Sequence, residues 1–233
     1  MDMVLKLKNT PKFFAFIFLL ITLAHIIVKS IAYFVGDRHV VGLYHLVSLF
    51  DLDKEKSIPT FCSTIAILSC SVLLAFIAFT KKKIGEGYFY WLGLSIIFLF
   101  LSVDEFTCIH ERLVKPFQHT LNTTGINYFA WIIPYSIILT FFLLAYTKFI
   151  INLPGKIRFL FIIAGLLYIT GAIGFEFIGG RYHELYGERS ITYLILMTIE
   201  ECLEMTGIII FIHTLTLYID SQLKNAQLRI LSS

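Results

Sequence analysis

Apolar runs of about 20 residues recur along this chain, the length a helix needs to cross the hydrocarbon core of a bilayer. Six stand at about 13–34, 60–80, 88–110, 128–149, 157–180 and 191–218. The expected fold is therefore all-α: a polytopic membrane protein, a six-transmembrane helix bundle forming a single integral membrane domain over residues 1–233. With loops this short there is no room for a separate soluble catalytic domain. Composition agrees, at 58% hydrophobic residues and a mean hydropathy of +0.81, far above a soluble domain. The first run does not read as a cleavable signal, because it lacks a small-x-small site and its apolar character resumes after His25 and Lys29.

Lysine and arginine set the expected orientation. With the N-terminus in the cytoplasm, Lys6, Lys8, Lys12, Lys81, Lys82, Lys83, Lys148, Lys156, Arg158, Lys224 and Arg229 fall inside. Only Asp2, Glu86 and Asp220 of the 16 acidic residues join them. The other acids crowd the outer side, several within the spans themselves. Both termini are thus expected in the cytoplasm, and segments 36–58, 111–127 and 181–190 outside. The stretch from His39 to Asp53 is too short to cross and suits an interfacial helix on the outer leaflet, with Leu43, Leu46, Val47 and Phe50 in lipid. It reads as a surface anchor ahead of a cover for the acidic site. Pro134 predicts a kink, and Asn152–Lys156 a tight inner turn. No basic patch with interleaved aromatics points to nucleic acid; the expected partners are membrane lipids. Cys62, Cys70, Cys108 and Cys202 lie in the spans without C-x-x-C spacing and read as small core residues.

A carboxylate in hydrocarbon costs several kcal/mol unless it is paired, protonated or bound to an ion. Three segments carry that cost: Asp104-Glu105 through His110-Glu111, Glu176 through His183-Glu184, and Glu200-Glu201 with Glu204. Helical rise separates them into tiers, since His110 stands about 8 Å above Glu105 and His183 about 10 Å above Glu176. Asp104, Glu105, Glu176, Glu200, Glu201 and Glu204 form a lower tier, and His110, Glu111, His183 and Glu184 an upper one nearer water. Lys29 is a candidate ion-pair partner for a lower-tier acid. Gly179-Gly180 permits close approach of a neighbour and is a candidate break in the fifth span.

Carboxylates with imidazoles on facing helices are the ingredients of di-iron and di-manganese bundle sites. The Glu-x-x-His spacing of those sites and the His-Glu-x-x-His of zinc proteases are both missing. The candidate ligands of a divalent transition metal (Fe, Mn or Zn) are Asp104, His110, Glu111, Glu176, His183, Glu200 and Glu204, with Glu105 and Glu201 as acid–base groups. The patches Leu-Ser-Val-Asp104-Glu105 to His110-Glu111-Arg112-Leu113 and Glu200-Glu201-Cys-Leu-Glu204-Met-Thr-Gly207 resemble motifs of uncharacterised bacterial multi-pass membrane proteins. The resemblance implies a bacterial inner-membrane location and no assigned activity.

The leading expectation is a membrane-embedded metal-dependent enzyme, hydrolase or oxidoreductase, acting on a lipid or apolar substrate. Two other readings compete. The same carboxylates could carry protons or cations in a transporter, or neutral glutamates could bond helices together. A polar pocket closed toward the cytoplasm favours the enzyme, and a continuous polar path favours transport.

Overall fold

The computed structural model of the chain describes residues 9–35, 41–109, 112, 132–187 and 190–223. These residues form seven helices and no strand: α1 (Thr10–Val35), α2 (Val41–Phe50), α3 (Ile58–Lys83), α4 (Phe89–Thr107), α5 (Ile132–Ile151), α6 (Gly155–Tyr186) and α7 (Ile191–Tyr218). Five of them, α1, α3, α4, α5 and α6, are long and apolar enough to cross a membrane. The sixth long helix, α7, has the length but carries Glu200, Glu201 and Glu204 in its middle. The all-helical expectation holds, and five of the expected spans meet the criterion of length and apolarity.

Local chemistry explains where the helices start and stop. Ser57 caps α3 by accepting from the Thr60 N–H at 3.3 Å, and Pro59 sits in the first turn where its missing N–H costs nothing. Lys81, Lys82 and Lys83 close the other end, favourable against the helix dipole. Helix α4 stops at Thr107 rather than near residue 110, because Cys108 adopts a left-handed conformation at φ 55° and donates its N–H to the Asp104 carbonyl at 2.7 Å. The turn at Asn152–Pro154 joins α5 to α6 as expected, and Arg158 Nη1 donates back to the Ile151 carbonyl at 2.7 Å. Pro134 stands in the first described turn of α5.

Helix α7 is the central element, packing on α6, α3 and α1. The core gathers Ile67, Leu74 and Ile77 of α3, Trp91 and Leu94 of α4, and Ile212 and Leu215 of α7. Between α3 and α4, serines replace bulk. Ser71 Oγ donates to the Ser95 carbonyl at 2.7 Å, Ser95 Oγ returns to the Ser71 carbonyl at 3.0 Å, and Ser102 Oγ reaches the Thr64 carbonyl at 3.0 Å. Small hydroxylated residues of this kind hold helices together where lipid removes the hydrophobic drive between them. Large apolar side chains such as Phe16, Val72, Phe141 and Leu144 face outward, as expected where the surrounding solvent is hydrocarbon.

Helices α6 and α7 meet through glycine. A Cβ on Gly207 would stand 2.8 Å from the Ala164 carbonyl, and one on Gly171 2.8 Å from the Glu200 carbonyl. Gly179 faces Met197, so the expected close approach is there, but α6 does not break at Gly179-Gly180. Its irregularity lies earlier, in a π-helical turn over Thr170–Phe175 immediately before Glu176.

Candidate carboxylate cavity

The lower-tier acids converge. Asp104 and Glu105 from the end of α4, Glu176 from just beyond the π turn of α6, and Glu200, Glu201 and Glu204 from α7 all line one cavity of about 360 Å³. That volume falls in the ~300–1,000 Å³ range of small-molecule sites. Gly171 is what brings the two helices together at this level, because its missing side chain lets the Glu200–Glu204 turn lie directly on the π turn. Glu176 and Glu200 line the same part of the wall, and two ionised carboxylates this close repel each other unless a proton or a cation separates them.

Glu200 is the least solvent-exposed of the α7 acids, at 5%, and its Oε2 has no hydrogen-bond partner among the described residues. Asp104 is equally buried and accepts from the Tyr135 hydroxyl at 3.2 Å, a contact that draws the otherwise peripheral α5 into the site. Below the acids the wall turns apolar, with Leu94, Ile97 and Phe98 of α4, Phe142 of α5, and Phe161 and Phe211 completing it. The rings of Phe98 and Phe211 stack at 4.7 Å, and Phe161 meets Phe211 edge-on at 4.9 Å. The cavity thus has an acidic roof and an aromatic floor.

The upper tier behaves differently. His183 packs its ring on Tyr193 with centroids 5.3 Å apart and is not part of the cavity wall, and Glu184 pairs with Arg181 at 3.4 Å. His110 and Glu111 lie outside the described residues. Among the described residues no group of three or more His, Cys, Asp or Glu side chains is arranged to hold a metal ion.

Of the two sequence readings of the segment around α2, anchor and cover, the structure gives weight to the second. The stretch after α2 does not act only as an anchor: Leu52, Asp53, Lys54 and Glu55 line the cavity. This strap is tied on three sides. Asp51, 4% exposed, pairs with Lys29 of α1 at 2.6 Å, so Lys29 serves the strap and not a lower-tier acid. Tyr193 of α7 donates to Asp53 at 3.4 Å, and the Cys108 thiol donates to the Glu55 carboxylate. His25 is buried beneath the strap, with the Leu52 N–H donating to Nδ1 at 3.1 Å and Nε2 3.3 Å from Thr198 Oγ1. It is the packed structural residue that its lone position in an apolar span suggests. On α2 the inward face also differs: Val47 is buried while Tyr44, Leu46 and Leu49 point outward.

Sequence reasoning missed Asp53, Glu55, Tyr135 and Tyr168 as parts of the wall. The signal for the first two was present in the run Asp51-Leu-Asp53-Lys-Glu55, whose acids flank an apolar residue beside a capping serine. A family model described as a domain of unknown function (DUF8692) matches residues 14–219, from the second turn of α1 to just past the end of α7. No curated protein and no solved structure matches the chain.

Proposed function

We propose that the chain, which belongs to the DUF8692 family, is a membrane-embedded enzyme acting on an amphiphilic substrate held in the carboxylate cavity. The two-part wall carries this reading: acids of α4, α6 and α7 above, phenylalanine and aliphatic side chains below. An amphiphile satisfies both halves at once, its tail against the floor and its polar end against the roof. Tyr135 and Phe142 place α5 on one wall, and α5 is the least buried of the candidate spans, which suits entry of the substrate from the lipid side.

Glu105 and Glu201 take the acid–base roles. Neighbouring carboxyl groups in unlike surroundings can divide the work, one holding a proton while the other accepts one. Asp104, Glu176, Glu200 and Glu204 draw a cation to the roof: the positive end of the substrate, or a divalent transition metal (Fe, Mn or Zn) that would need these side chains to turn toward one point, since as they stand no three of them are arranged to hold an ion. Crowded carboxylates in low dielectric repel strongly, and a cation removes that repulsion. In this reading α7 is the sixth span, both termini are cytoplasmic, and the protein resides in a bacterial inner membrane. The cluster at Lys81–Lys83 with Lys148, Lys156 and Arg158 supports that orientation.

The aromatic floor favours an enzyme over a carrier, since a transported ion needs polar groups along its whole path and, beyond Tyr168, the described residues lining the cavity below the acids are apolar. The test uses protein reconstituted in nanodiscs with a total bacterial lipid extract, followed by mass spectrometry. Wild type should convert a component of the extract, and Glu201→Gln or Glu105→Gln should slow that conversion by about 10²-fold or more. Unchanged lipids, together with Glu200-dependent cation flux in proteoliposomes, would replace the enzyme with the transporter.

A further inference from the structure

We infer that the polar end of the cavity's ligand is an ammonium group bearing N–H donors, so that the substrate is a long-chain amine or an amine-headed lipid. The inference rests on the amphiphile reading of the cavity and adds the chemistry of the head group.

Charge comes first. The roof presents carboxyl groups from the strap, α4, α6 and α7, and the lysine in the lining is Lys54. The Lys54 ammonium is engaged elsewhere, 5.3 Å from the centre of the Tyr44 ring. A phosphate or carboxylate head group would meet this wall with like charge in a medium of low dielectric, where repulsion is severe. An ammonium meets it with opposite charge.

Hydrogen bonding then narrows the kind of cation. Glu200 belongs to the cavity wall, and its Oε2 is buried without a hydrogen-bond partner among the described residues, a state that is costly for an acceptor and more so for a charged one. A primary or secondary ammonium supplies N–H groups to fill that vacancy, whereas a quaternary ammonium supplies charge alone. The Tyr135 and Tyr168 rings in the same lining offer further faces to a cation. Geometry below sets the rest of the molecule, because the acids open directly onto the floor of Phe98, Phe142, Phe161 and Phe211, which accepts an alkyl chain. A bare metal ion would satisfy the roof and leave this floor empty.

The test compares ten-carbon probes of one chain length and different heads, added to purified protein in nanodiscs of neutral lipid. Decylamine should raise the melting temperature, decyltrimethylammonium should raise it less, and decanol and decanoate should leave it unchanged. Glu200→Gln should weaken decylamine binding by about tenfold or more. Glu204→Gln offers the same comparison should the first variant fail to fold, and Glu86→Gln, at an exposed ion pair with Lys81, should bind as wild type does. Equal stabilisation by decanol and decylamine overturns the inference, because the roof would then act as neutral hydrogen-bonding surface. Stabilisation by Mn²⁺ or Zn²⁺ with no response to decylamine also overturns it, in favour of a resident metal. The two readings fail separately. Decylamine binding without any lipid conversion removes the enzyme and leaves the ligand class, while conversion of a neutral lipid without decylamine binding does the reverse.

Discussion

Glycine at Gly171 and Gly207 holds the acidic roof in place as much as the acids do. Each sits where a methyl group would strike backbone of the facing helix, Glu200 in one case and Ala164 in the other. Gly171→Ala and Gly207→Ala should each cost about 1–3 kcal/mol, measured as lowered melting temperature, because α6 and α7 must separate to admit the methyl. Gly165 is the contrast: it borders the cavity, and a Cβ there would meet nothing within 4 Å. Gly165→Ala should be neutral or stabilising by up to ~1 kcal/mol through helix propensity. Gly165→Leu should keep the fold and block the cavity, so that decylamine no longer shifts the melt. A melt shift surviving in Gly165→Leu would place the ligand elsewhere. The glycines themselves were visible in the sequence, but which of them face a helix and which face a void was not, because that depends on the rotation of α6 about its axis.

At the scale of elements, the strap from Asp51 to Ser57 is the least expected part of the site. Its composition suggested a polar edge at the membrane surface, and a polar edge next to an interfacial helix usually is one. Here the acids turn inward because partners on separate helices receive them: Lys29 for Asp51, Tyr193 for Asp53 and Cys108 for Glu55. Lys29→Met should leave the Asp51 carboxylate buried beside His25 and cost roughly 2–3 kcal/mol, below the ~3–5 of a fully buried pair because Lys29 keeps some exposure. Lys29→Met combined with Asp51→Leu should recover part of that loss in thermal melts. If the single variant melts as wild type does, the ion pair does not hold the strap. Helix α6 makes a related point. Its apolar run reads as one uninterrupted span, and the π turn over Thr170–Phe175 has no signature in that pattern because π and α segments bury the same kinds of residue.

For the whole molecule, the asymmetry of charge yields the prediction most easily checked. Single cysteines placed at Gly187 should react with an impermeant maleimide added from outside, and those at Lys82 should not. The reverse pattern would overturn the proposed orientation and put the acidic face on the cytoplasmic side.

The existence of the helices, their order and the crowding of acids at one depth followed from the amino-acid sequence, because apolar length and helical rise are local properties that neighbours cannot change. The convergence of Asp104, Glu105, Glu176 and the α7 glutamates on one cavity was legible in part for the same reason, since equal depth on separate spans places residues in one layer. What faces what within that layer was decided by tertiary structure. Lateral order and rotation of helices depend on contacts between residues far apart in sequence: glycine against backbone at Gly171, serine against serine between α3 and α4, and lysine against aspartate under the strap. That is why His183 turned to Tyr193 and away from the cavity wall, while Asp53 and Glu55, read as surface residues, became part of it. Depth is a one-dimensional quantity that a sequence carries, and azimuth is set only when the helices pack.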